Sequence, residues 1–271
     1  MTEPIRILRI ISRMNVGGPA WQTSVLTESL EGKEFSTKLL CGDVGSDEGD
    51  YLKLYEPKIQ FTKINSLGRS VSFIGDLKAF IKIRREITSY RPHIVHTHTA
   101  KAGVLGRLAA YSARVPIIVH TFHGHLLQGY FSKTTTSIIR KFELWLARSS
   151  TALIAVGSKV RNDLISAGIG RDEQFSVIPP GVNFFPKTDR ETARAKLGLS
   201  QYVPVVTFVG RLTKIKRPDR LIQVMKLVKQ AMPEVVLLIV GEGDLLSSIE
   251  KDTKEFGDSV RVLGWRDDLE N

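Results

Sequence analysis

Residues 205–218 read VVTFVGRLTKIKRP, an apolar run that ends in a glycine and then delivers a burst of cations. Val205, Val206, Phe208 and Val209 are the β-branched and aromatic residues of a strand covered on both faces, and Gly210 lets the chain turn where that strand stops. Arg211 and Lys216 then leave its carboxyl end. Open parallel sheets bind ligands at that edge, and a helix opened by Pro218 aims free backbone N–H groups at the same place. A guanidinium fork, an ammonium and a helix N-terminus together suit a diphosphate. The competing reading makes Arg211, Lys214, Lys216 and Arg217 a solvated basic loop.

Outward from this stretch, strand and helix alternate along the chain. Toward the N-terminus the pattern gives strands at 5–12, 37–41, 60–64, 94–96, 116–121, 152–156 and 175–178, with helices at 20–30, 73–90, 101–114, 135–149 and 158–167. Such alternation at short spacing means a parallel sheet covered on both faces, an α/β architecture. Pro179-Pro180-Gly181 breaks the pattern, which predicts two Rossmann-like, doubly wound domains, 1–181 and 182–271. The second begins with a short helix at 191–197. Its strands are expected at 203–210, 235–241 and 260–263 and its longer helices at 219–232 and 245–256, few strands for a complete doubly wound domain. In the helix at 73–90, Leu77, Phe80, Ile81, Ile83, Ile87 and Tyr90 supply the apolar positions. Lys78, Lys82 and Arg85 share one side, which is either a solvated face or one that rests on an anionic membrane.

The 271 residues suffice for two cores, and 42% apolar with 25% charged residues describes a globular chain. Lysine and arginine exceed aspartate and glutamate by 39 to 28, a formal charge of +11 that favours nucleotides, nucleic acid or acidic headgroups as partners. Nucleic acid is disfavoured because the cations are scattered, without interleaved aromatics or a familiar binding motif. A single cysteine, Cys41, excludes an internal disulfide and a cysteine metal cluster, and reads as a small core residue at a strand end. No apolar run is long enough to span a bilayer, and the first residues lack the order of a signal peptide. The expectation is a cytoplasmic location, at the inner face of the plasma membrane if the basic helix docks there.

Two further stretches carry chemistry. The first strand leads into Gly17-Gly18-Pro19 and a helix, but GxGxxG is absent and a dinucleotide is not indicated. Gly17 and Gly18 either make the turn or let a ligand approach the backbone. The six histidines, His93, His96, His98, His120, His123 and His125, fall in one segment, at or just beyond the carboxyl ends of two successive strands. The pairs His96/His98 and His123/His125 have the spacing that puts side chains on one face, so a metal site is one reading. No carboxylate lies among them, and neutral imidazoles that hydrogen-bond to sugars and phosphates are the favoured one. His93 and His120 read as satisfied inside the sheet.

Gly17-Gly18, residues 96–103 (HTHTAKAG), 120–125 (HTFHGH), 180–183 (PGVN), Gly210-Arg211-Leu212 with Lys216, Gly241-Glu242-Gly243 and Leu263-Gly264-Trp265 occur in that order. Each motif is weak alone. As an ordered set spanning the chain they resemble the retaining GT-B glycosyltransferases of family 4, notably the branch making capsular and cell-surface polysaccharides. The resemblance implies a GT-B fold in which two Rossmann-like domains face a cleft. It implies that Arg211 and Lys216 grip the donor diphosphate and offset charge on the leaving nucleotide. It also implies that Gly17 and Gly18, with Gly241 and Gly243, lie against the donor phosphates, and that His123 faces the donor sugar. His98, Lys101 and His125 become acceptor-side candidates, and Asn183 a structural residue between the domains. No metal or other cofactor is implied.

The implied reaction moves a hexosyl unit from a nucleoside diphosphate sugar, with UDP the expected nucleotide, to a lipid-linked or polysaccharide acceptor with retention at the anomeric carbon. After Gly264 to Asp268 the family continues into a segment with two glutamates contacting the donor, which is missing here, so the expectation is a truncated member. A nucleotide-sugar epimerase of the same architecture and a non-catalytic fragment are the alternatives.

Overall fold

The computed structural model describes residues 3–46, 48–68, 72–124, 133–181, 186–266 and 268. It divides into two compact units, Met1–Gly181 and Val182–Asn271. In the first, the order is β1 (Ile5–Arg13), α1 (Gly18–Leu30), β2 (Phe35–Gly42), α2 (Tyr51–Tyr55), β3 (Phe61–Lys63), α3 (Phe73–Tyr90), β4 (Ile94–His98), α4 (Ala100–Ser112), β5 (Ile117–Phe122), α5 (Lys133–Arg148), β6 (Ala152–Ala155), α6 (Ser158–Ser166) and β7 (Phe175–Val177). In the second it is α7 (Arg190–Lys196), β8 (Val205–Val209), α8 (Pro218–Ala231), β9 (Val236–Val240), α9 (Leu246–Thr253) and β10 (Val260–Gly264).

Among the described residues the first unit holds one seven-stranded sheet in the order β3-β2-β1-β4-β5-β6-β7, every pairing parallel. The order in which strands are added reverses between β1 and β4, the switch point where α/β sheets open a crevice at their carboxyl ends. On one face Leu8, Ile10 and Val95 pack under Ala79, Ile83 and Ile87 of α3 and Ala102, Ala109 and Ala110 of α4. On the other, Ile11, Leu39 and Cys41 pack with Ala20 of α1 and Tyr51 and Leu52 of α2. Burial pushes the Cys41 thiol up to about 12, so it remains protonated and inert. The Ser72 side chain caps α3 by accepting from the Gly75 N–H at 3.3 Å, and Asp76 returns the favour by accepting from the Ser72 N–H at 3.3 Å.

The second unit has a three-stranded parallel sheet in the order β10-β9-β8. Its core joins Leu237 and Ile239 to Ile222 and Met225 of α8 and Ile249 of α9.

The structure corrects two sequence expectations. β8 is an edge strand, and Val206 and Val209 are exposed, so the strand covered on both faces is β9 in the centre, buried along its whole length. An apolar run reports affinity for the interior, whereas the place of a strand in its sheet is set by non-local pairing. In α3, Leu77 and Ile81 point outward rather than into the core, which Ala79, Ile83 and Ile87 fill.

Candidate functional site

β4 continues through His98, further than the short apolar run Ile94-Val95 suggests, because Val95, His96, Thr97 and His98 are all buried between neighbours. Alternation along the strand sorts the polar side chains onto two faces. Thr97 faces α4 with His120, whose Nδ1 lies 2.8 Å from the threonine Oγ1. Gly103 of α4 makes room for that ring: a Cβ there would lie 2.6 Å from His120 Cε1. His96 and His98 share the opposite face, their rings 4.2 Å apart. His96 Nε2 meets Thr121 Oγ1 at 2.8 Å, and His98 Nδ1 meets His123 Nε2 at 3.1 Å just past the end of β5. His123, the one of these rings that is only half-buried, thus ends a polar line from the middle of the sheet to its carboxyl rim.

Burial sets the charge of this line. It lowers His96 to about 3, aided by Arg9 and His123, and His123 to about 4. His98 and His120 are held well below the ordinary imidazole range, again by burial first and by neighbouring cations and rings second. At neutral pH all four are uncharged hydrogen-bonding groups. His93 corrects its expected placement: it precedes β4 at the opposite edge of the sheet, where its Nδ1 accepts from the Arg6 N–H at 3.0 Å. His125 lies outside the described residues, as does Asn183. Among the described residues no three histidine, cysteine, aspartate or glutamate side chains converge as a metal ligand set.

Two residues of the rim carry no sequence signal. Thr99, between β4 and α4, has φ 65°, rare for a β-branched side chain. Its Oγ1 accepts from the Ser12 N–H at 3.2 Å and lies 2.8 Å from Ser12 Oγ, which in turn accepts from the Ala102 N–H at 3.0 Å. Ser12 and Thr99 therefore bind the ends of β1 and β4 to the start of α4, directly beside His98. The third rim segment is the glycine loop. Val16 donates to Gly49 O at 2.9 Å, Gly17 stands at the N-cap of α1, and the helix start has no side-chain cap. A Cβ on Gly18 would meet nothing within 4 Å, so packing within the protein does not account for that glycine. Lys101 is engaged inside the unit: its Nζ lies 2.5 Å from Asp76 Oδ1 and ties α4 to α3.

In the second unit, Arg211 and Lys216 follow β8 as expected, on an exposed loop whose residues Lys214–Lys216 form one 3-10 turn before α8. Two nearby cations are paired, Arg217 with Asp219, Nη2 2.6 Å from Oδ2, and Lys226 with Glu255 at 2.8 Å, whereas Lys214 has no acidic partner among the described residues. Among the described residues Arg211 and Lys216 have no acidic partner. Gly241 and Gly243 have a packing explanation. Their φ values are 135° and 152°, and a Cβ would lie 2.1 Å from Gly210 O and 2.6 Å from Leu212 O respectively. They let the loop after β9 lie against the loop after β8, where Leu212 donates to Glu242 O at 2.8 Å and Leu245 to Leu212 O at 3.0 Å. The predicted residues thus fall into two sets, each at the carboxyl ends of parallel strands in its own unit.

Comparison with known proteins agrees with this architecture. A galactosyltransferase of Escherichia coli, UDP-Gal:alpha-D-GlcNAc-diphosphoundecaprenol alpha-1,3-galactosyltransferase, is 30% identical over 253 residues, which cover 90% of this chain and 64% of that protein. The chain therefore spans less than two thirds of that relative. The crystal structure of Anabaena Alr3699/HepE in complex with UDP superposes with a TM-score of 0.77 at 22% identity, over 98% of this chain and 71% of that one. The UDP-GlcNAc 2-epimerase of Methanocaldococcus jannaschii is more distant, with a TM-score of 0.61 at 13% identity over 98% of this chain and 75% of its own. These likenesses are in fold, that of the GT-B class. Residues 189–271 match the model described as Glycosyl transferases group 1. Residues 16–184 match that of Glycosyltransferase Family 4, and the chain belongs to this family.

Proposed function

We propose that the chain is the donor-gripping and acceptor-side part of a glycosyltransferase that moves a hexosyl unit from a UDP-sugar to a lipid-linked or polysaccharide acceptor, with retention and without a metal. The observation that carries this reading is that Arg211 and Lys216 follow the carboxyl end of β8 on an exposed loop and, among the described residues, have no acidic partner. Cations beside a parallel-strand terminus attract a diphosphate and stabilise the charge that builds on it as the sugar departs. Fixed side-chain charges do there what a divalent ion does elsewhere. His123, uncharged and supported by His98, offers a hydrogen bond to the sugar rather than a charge. The free space at Gly18 suits close approach of a ligand to the start of α1. The E. coli relative, named for a UDP-galactose donor and a diphosphoundecaprenol acceptor, favours UDP and a lipid-linked acceptor.

Calorimetry with UDP tests the grip. Arg211→Ala with Lys216→Ala should weaken binding by a few kcal/mol, on the order of 100-fold or more, while EDTA leaves the wild-type affinity unchanged. Equal affinity of the double variant and the wild type removes both residues from the site. Interconversion of UDP-sugars without any acceptor, in place of UDP release on adding one, would reassign the chain to epimerase chemistry.

A further inference from the structure

The outward half of α3 is divided lengthwise. Phe73, Ile74, Leu77 and Ile81 are 87%, 66%, 51% and 45% exposed, although buried Ala79, Ile83 and Ile87 already seat the helix on its core. At roughly 100° per residue these four fall within one sector of about 100°, and Arg85, Lys78 and Lys82 occupy the next 60° or so. All three cations are exposed, as is Arg84. The two acids of this helix contribute no outward charge, because Asp76 is bound by Lys101 at 2.5 Å and Glu86 by Lys38 at 2.8 Å. Beyond α4, which lies between them, α5 repeats the composition: Phe142 and Trp145 are exposed beside Arg140, Lys141 and Arg148, and Tyr111 of α4 stacks edge-on to Trp145 at 5.9 Å. No described helix is long and apolar enough to cross a membrane.

From this we propose that the α3–α5 face of the first unit docks on an anionic lipid bilayer, with Phe73, Ile74, Leu77 and Ile81 inserted at headgroup depth and Lys78, Lys82 and Arg85 on the lipid phosphates. An apolar strip bordered by cations, with its acids neutralised internally, matches the in-plane amphipathic helix that lies in a membrane interface. Tryptophan and tyrosine beside arginine and lysine are the side chains that settle at that depth. A protein partner of mixed charge would leave the basic strip unanswered. The Asp76–Lys101 bridge joins the inserted turn of α3 to the start of α4, one residue past His98 and Thr99, so docking holds the rim near the bilayer surface. The purpose of docking rests on the lipid-linked acceptor proposed above, whereas the docking itself is measured without donor or acceptor.

The test is co-sedimentation of the full chain with vesicles of phosphatidylcholine alone or with added phosphatidylglycerol. Wild type should partition onto the anionic vesicles and be released by salt. Lys78→Glu with Lys82→Glu should lower partitioning at least about 10-fold. Phe73→Ser with Leu77→Ser, which leaves every cation in place, should lower it comparably. All four positions are exposed, so unchanged thermal melts are expected for both variants. Absence of any preference for anionic vesicles, or wild-type partitioning by both variants, overturns the proposal. So does a wild-type dimer in light scattering that Phe73→Ser with Leu77→Ser dissolves, which would assign the face to a second copy of the chain. UDP calorimetry on the same preparations separates the two readings: vesicle binding that fails while UDP still binds leaves the diphosphate grip standing.

Discussion

Arg9 is among the most buried side chains of the first unit, and its Nε and Nη1 have no hydrogen-bond partner. It stands opposite His96 in the β1–β4 register, and burial lowers it to about 10, so at neutral pH it is a charge with no acidic partner among the described residues. Such a group costs more than an apolar side chain of similar length. Arg9→Met should therefore raise stability by about 1 kcal/mol or more in urea denaturation, and a loss of stability would mean that the guanidinium is paired. The neighbouring His98 carries a related imbalance, because its Nε2 is buried without a partner while Nδ1 bonds His123. An orphaned N–H is the rarer state for a buried group, which favours a bare Nε2 and a proton on Nδ1. That proton is donated to His123 Nε2, so the proton of His123 sits on Nδ1. A ligand atom facing it must then be an acceptor oxygen.

At the scale of elements, α4 and α5 are locked by a buried ion pair in which Arg107 Nη2 lies 2.9 and 2.8 Å from the two Glu143 oxygens and Arg107 Nε donates to Gly103 O at 2.7 Å. Removing one partner leaves the other charge buried alone. Glu143→Ala should lower the stability of the first unit by about 3–5 kcal/mol, read from urea denaturation followed by hydrogen exchange in α4 and α5, with Glu143→Gln milder because one acceptor remains. The bounds of α3 and the order of strands and helices were legible in the sequence, because apolar periodicity over a long element is a strong local signal. Three features were not. The five-residue α2 is too short to show a period, and the exposure of β8 depends on which strand lies at the sheet centre. The left-handed Thr99 contradicts the local preference of its residue type and is held by Ser12, 87 positions away. Of the candidate site, the cations after β8 and the strand-end histidines could be read from spacing. The bond from His98 to His123 could not, since it depends on the register of β4 against β5.

Across the whole molecule, all six histidines lie in the first unit and none in the second. Four of them have folded values below the ordinary 6.5, about 3 for His96 and about 4 for His123, so the unfolded chain takes up protons first as pH falls. Stability from these groups is complete above pH 6.5 and is lost on the way down toward pH 4, each histidine contributing up to about 1.4 kcal/mol per pH unit. Hydrogen exchange followed by mass spectrometry between pH 7 and 4.5, corrected for the intrinsic rate, should show β4 and β5 losing protection before β9. Simultaneous loss in both units would contradict this. Arg211 and Lys216 stand at the other extreme, open to solvent, where dissolved ions screen them within about 10 Å. Acidity and ionic strength thus become two separate dials: the first loosens the histidine half, and the second dims the cationic loop without reaching the dry imidazoles.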